Sequence, residues 1–129
     1  MFLRFVGHDL DPRTGQPVGL MTMAYALRNS GDANVADADQ LLAHLDWIQC
    51  SVPIPTRFAR RRNPYHKETH GVSRAKATAV EFVRHLHAIA DILDRYDMVV
   101  DVVRTTRPGD VVHEDDWQVV AEPFHGEGR

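Results

Sequence analysis

The chain has 129 residues, with 15 Lys and Arg against 18 Asp and Glu, a formal net charge of -3 at pH 7 and one cysteine. That length suits a single domain spanning residues 1–129, because chains of about 100 to 150 residues bury roughly two thirds of their unfolded surface without metals or cross-links. The lone Cys50 excludes an internal disulfide, no run approaches the ~20 apolar residues of a membrane span, and the acidic balance excludes a generally basic nucleic-acid binder.

Phe2 to Val6 reads as a first strand, β-prone with Arg4 on one side, and HDLDPRTGQP closes it with turn residues. The opening MFLRFVGHDL lacks the apolar core of about 7 to 15 residues that export requires. With a lone thiol, the expectation is a cytoplasmic protein. After Pro17, the residues Leu20, Met23, Ala24 and Leu27 recur at the spacing of one buried helical stripe, and Asn29-Ser30-Gly31 supplies a stop. A second helix is signalled by Asp37 as its cap with Gln40 three residues on, and carries the stripe Leu41, Leu45 and Ile48. Trp47 falls about 120° from that stripe, so it is either covered by another element or an exposed anchor. Pro53 and Pro55 end the helix.

Residues 56–73 have no apolar period and read as a basic loop. Between Arg57 and Lys76 seven basic residues face one acid, a local charge of +6 that leaves -9 on the rest of the chain. Arginine offers a planar fork for phosphates or carboxylates, and Phe58 and Tyr65 are interleaved where a base can stack. The candidate partner-binding residues are therefore Arg57, Phe58, Arg60, Arg61, Arg62, Tyr65 and Lys76. Three readings stay open: solvated or internally used charge, a nucleic-acid contact, and an acidic protein partner, including a second copy of the chain. Within the same segment His66-Lys67-Glu68-Thr69-His70 has the two-histidine spacing of a zinc-protease helix, but its glutamate sits one place late, on the far side of any helix. It reads as polar loop, not as a metal site.

Ser73 is the expected cap of the longest helix, about residues 74–96, whose stripe runs through Ala75, Ala79, Phe82, Leu86, Ile89 and Leu93. His85 and His87 flank that stripe on opposite sides, and each reads as a boundary histidine bonded to a carboxylate. MVVDVVRT, residues 98–105, changes to strand chemistry. Arg107-Pro108-Gly109 makes a turn, and short strands follow at 110–113 and 117–122. The carboxylates Glu114, Asp115 and Asp116 between those strands read mainly as a solvated hairpin tip, with a Mg²⁺ site as the chemical alternative. The predicted order is β-α-α-α-β-β-β, an α+β fold with three helices on a small, mainly antiparallel sheet.

The stretches Met1–Phe5, Gly19-Leu20 with Tyr25-Ala26-Leu27, Pro55–Phe58, and Arg107-Pro108-Gly109 followed by Glu114–Phe124 resemble a group of small uncharacterised bacterial proteins. The likeness covers nearly the whole chain and is most specific in the last stretch. It implies a bacterial source and a single domain, and it carries over no catalytic residue.

Two functions follow as expectations. The first is a small cytoplasmic binding or regulatory protein that engages nucleic acid or an acidic protein surface through the basic loop, with homo-oligomers possible and no membrane partner or cofactor. The alternative is a metal-dependent enzyme on a phosphate-containing substrate, with the acidic tip holding a metal or acting as base and Lys76 or Arg57 steadying charge.

Overall fold

The computed structural model describes residues 1–12, 15–54 and 72–122. In chain order the elements are β1 (Phe2–Leu10), β2 (Pro17–Gly19), α1 (Leu20–Ser30), α2 (Val35–Ser51), β3 (Val72–Lys76), α3 (Val80–Asp94), β4 (Asp101–Thr105), β5 (Asp110–Glu114) and β6 (Gln118–Glu122). Among the described residues three helices and a six-stranded antiparallel sheet make the expected α+β class.

β1 organises the sheet. Phe2 faces Lys76 of β3 and Thr105 of β4, so β3 and β4 lie on opposite edges of it. Val6 likewise faces Asp101 of β4 and Gly19 of β2, which puts β2 on the edge that β3 occupies nearer the start. Beyond β3 the sheet continues through β6 to β5.

Alternation along a strand sends neighbouring side chains to opposite faces. Leu3, Phe5 and Ala75 accordingly join one buried cluster with Leu41, Leu45, Ile89 and Leu93 from the helices. Leu41, Ile89 and Leu93 have no exposed surface. Burying side chains of this size stabilises the fold by about 1.5 to 3 kcal/mol each relative to leaving them in water. The helical stripes are those expected from the sequence: Leu20, Ala24 and Leu27 of α1 are buried, as are Leu41, Leu45 and Ile48 of α2.

The helix ends differ from the sequence reading. α1 closes on Gly31, whose φ of 73° is the left-handed conformation that costs glycine nothing. α2 begins after Asn34, whose side chain accepts from the Asp37 amide at 2.8 Å, so Asp37 is not the cap. Asp37 instead takes Arg95 Nη1 at 2.6 Å and the Tyr96 hydroxyl at 2.7 Å, tying the start of α2 to the end of α3. The hydrogen bond from Tyr96, assisted by Arg95, holds the Asp37 carboxyl below its ordinary range despite burial.

The larger correction concerns residues 72–79. Val72–Lys76 is a strand, and α3 starts only after Ala79 with no side-chain cap. Ser73 is a sheet residue whose hydroxyl donates to Gln118 at 2.8 Å. Ala75 is buried as expected, but through strand alternation, because Leu3 on one side and Gln118 on the other face it in register. β1 runs on to Leu10 through residues read as turn, and the short β2 takes Pro17 from that turn and Val18 and Gly19 from the expected start of the first helix. Of the basic loop read at 56–73, residues 56–71 lie outside the described residues. Among the described residues no helix is long and apolar enough to cross a membrane.

Candidate functional site

A cleft of about 320 Å³ opens between the helical layer and the middle of the sheet. Its apolar walls include Met21 and Tyr25 from α1, Ile48 and Val52 from the end of α2, and Phe82 from α3. Ser73 and Gln118, neighbours on β3 and β6, make its polar end. A second hollow of about 290 Å³ lies beside it where β1 changes partner from β3 to β2, and shares Met21, Ser73 and Phe82.

Gln118 is buried and heavily used. Its Nε2 donates to the Pro53 carbonyl at 2.6 Å and to Asp115 Oδ2 at 3.3 Å, while its Oε1 accepts from Ser73 Oγ. Both amide protons are therefore committed, and what the polar end still offers is acceptor capacity on Gln118 Oε1 and Ser73 Oγ. Such a cleft suits an apolar group carrying an N–H or O–H. It is not a nucleophile site, because Ser73 donates to an amide oxygen that cannot take its proton as a base does.

The acidic tip resolves into separate jobs. Glu114 Oε2 lies 2.6 Å from Lys76 Nζ, on the sheet face away from the helices. Asp115 builds the β5–β6 turn: Oδ1 accepts from the amides of Trp117 and Gln118 at 2.8 and 3.0 Å, and Oδ2 meets His113 Nε2 at 2.8 Å. Burial works to raise the Asp115 carboxyl, but these hydrogen bonds outweigh it and hold it below the ordinary carboxylate range. Asp116 is exposed. Among the described residues no group of three or more His, Cys, Asp or Glu side chains is placed to hold a metal ion.

Of the residues singled out as partner-binding, Lys76 is described and is half-buried against Glu114. Arg57, Phe58, Arg60, Arg61, Arg62 and Tyr65, together with His66 and His70, lie outside the described residues. Ile54 and Ser73 both line the cleft.

One cluster was not anticipated. His44 of α2 and His85 of α3 meet with their Nδ1 atoms 2.8 Å apart. Trp47, one turn after His44, stacks on the His85 ring at 4.1 Å and an interplanar angle of 17°. Trp117 from the β5–β6 turn meets Trp47 edge-on at 5.9 Å. Trp47 is thus covered, which resolves the choice its helical phase left open. His85 bonds another histidine, not a carboxylate, and His87 rests edge-on against Phe5 at 4.8 Å. The signal available beforehand was the spacing of His44 and Trp47 on one flank of α2, but nothing in it named α3 as the partner.

No family model matches the chain, and neither a curated protein nor a solved structure matches it.

Proposed function

We propose that the chain is a binding protein that engages an anionic partner, nucleic acid or an acidic protein surface, through the basic stretch from Arg57 to Lys76. The observation that carries this reading is the charge distribution: +6 within those residues against -9 elsewhere. Arg57, Arg60, Arg61 and Arg62 supply the charge contacts, Phe58 and Tyr65 supply stacking, and the adjoining cleft receives an apolar group of the partner. Lys76 has a lesser part, since Glu114 already neutralises it. A reducing, cytoplasmic and regulatory setting in a bacterium belongs to the same reading and accords with the single, exposed Cys50.

The metal-dependent alternative draws no support from the acidic tip, where Glu114 is paired and Asp115 shapes a turn. The test is a salt series. Labelled duplex and single-stranded oligonucleotides and an acidic polypeptide are titrated by fluorescence anisotropy with wild type and with Arg60→Ala/Arg61→Ala/Arg62→Ala. Binding to duplex DNA is expected to weaken with salt, at a log-log slope of about -0.9 per phosphate neutralised, and the triple variant to lose roughly three contacts' worth of that slope. Equal binding by the two proteins to every probe defeats the proposal.

A further inference from the structure

We propose that His44 and His85 form a binding site for a divalent transition-metal ion of the zinc class, seated between α2 and α3 and independent of the basic stretch. Three observations converge on it.

The first is the approach of two like nitrogens. Nδ1 of His44 and Nδ1 of His85 are 2.8 Å apart, so one ring donates its Nδ1 proton to the lone pair of the other. An ion that takes neutral imidazole nitrogen can occupy that place and satisfy both rings at once, as the donating ring shifts its proton from Nδ1 to its own Nε2.

The second is the fit of the rings. A tetrahedral ion that holds two imidazole nitrogens at about 2.0 to 2.1 Å sets the nitrogens about 3.3 Å apart and the ring centres about 5.2 Å apart. The ring centres here are 5.0 Å apart, at an interplanar angle of 65°. The ion therefore enters by a tilt of the rings, with no separation of the helices. Both ligands stand on helices packed over the core, and Trp47 stacked on His85 fixes the plane of that ring.

The third is the surroundings. Both histidines are half-buried, so the pair is shielded by its neighbours without being sealed from solvent. Among the described residues no third His, Cys, Asp or Glu joins the pair. The ion thus keeps open positions for water or an external donor, as an exchangeable site does and a closed structural zinc site does not.

The experiment uses the full chain without an affinity tag at about pH 7.5, where unperturbed imidazole is mostly neutral. Zn²⁺ is titrated by calorimetry, and Ni²⁺ by quenching of tryptophan fluorescence. One saturable site per chain is expected. His44→Asn and His85→Asn should each weaken it by about 10- to 100-fold, since loss of a ligand costs at least as much as loss of a ligand's hydrogen-bond partner. His66→Asn/His70→Asn should leave it unchanged. In Trp117→Phe the remaining Trp47, stacked on His85, should still be quenched by Ni²⁺, which places the ion beside that indole even if the histidine variants fail to fold. The proposal is overturned by wild type showing no saturable binding below about 1 mM. It is equally overturned if the site survives His44→Asn, if it is lost in His66→Asn/His70→Asn, or if Ni²⁺ leaves Trp47 unquenched in Trp117→Phe.

Discussion

On the helical face of the sheet Leu41, Leu45, Ile89 and Leu93 are shut off from water among side chains from α1, α2, α3, β1 and β3. At the β5–β6 hairpin the buried cluster comprises, among the described residues, Val112 and Val120. The hairpin's end is held by polar bonds that converge on Asp115 and Gln118. The two regions show how one sheet is secured in two ways: by exclusion of water, which is insensitive to pH, and by directed hydrogen bonds to a carboxylate, which are not.

The difference can be broken or sharpened by substitution. Ile89→Ala should have the largest effect, a loss of about 2 to 5 kcal/mol, because a fully buried side chain in a many-sided core leaves a cavity. Denaturant titration measures it, with the whole chain unfolding together. Val112→Ala should cost roughly 1 to 2 kcal/mol, at about 0.8 for each methyl removed, since among the described residues its cluster has one other member. An equal loss at the two positions would mean that the hairpin has a core of its own.

Asp115→Ala should cost about 1 kcal/mol, the scale of a lost cap or turn bond. Its effect should be local: faster hydrogen exchange at the amides of Trp117 and Gln118, with the α3 amides unchanged. The Asp115 carboxyl lies lower in the folded chain than its ordinary 3.8, so its stabilisation is present above that pH and is lost as pH falls through the depressed value. Hairpin amides should thus lose protection in acid before core amides do.

The smallest effect belongs to His44. Its folded-state value is depressed from 6.5, so the unfolded chain takes up a proton first and stability declines as pH drops below about 6.5. Melting temperature measured in a metal chelator should show this slope, and His44→Asn should flatten it.

The sequence carried the helical face well because burial there repeats along each helix. Leu20, Ala24 and Leu27, then Leu41, Leu45 and Ile48, mark their faces without reference to anything distant. What escaped depends on partners far along the chain. Val72–Lys76 is a strand because Leu3 and Gln118 flank Ala75, while locally the same Ala75 and Ala79 fit a helical period. Asp37 looks like a cap next to Asn34, and its actual role is set by Arg95 and Tyr96. The approach of His44 to His85 is settled by how α2 packs on α3, which no spacing within either helix encodes. The cleft was equally hidden, since its lining comes from five separated segments.

The central place of β1 has a cost during biosynthesis. Phe2–Val6 is made about 100 residues before its neighbour on one edge is complete at Thr105. At about 5 to 20 residues per second, the nascent strand waits on the order of 5 to 20 s before that flank exists. Over that interval an apolar FLRFV segment presents unpaired amides and carbonyls to the crowded cell, a natural target for chaperones and for other nascent chains. A polypeptide released before Asp101 keeps that edge open for good.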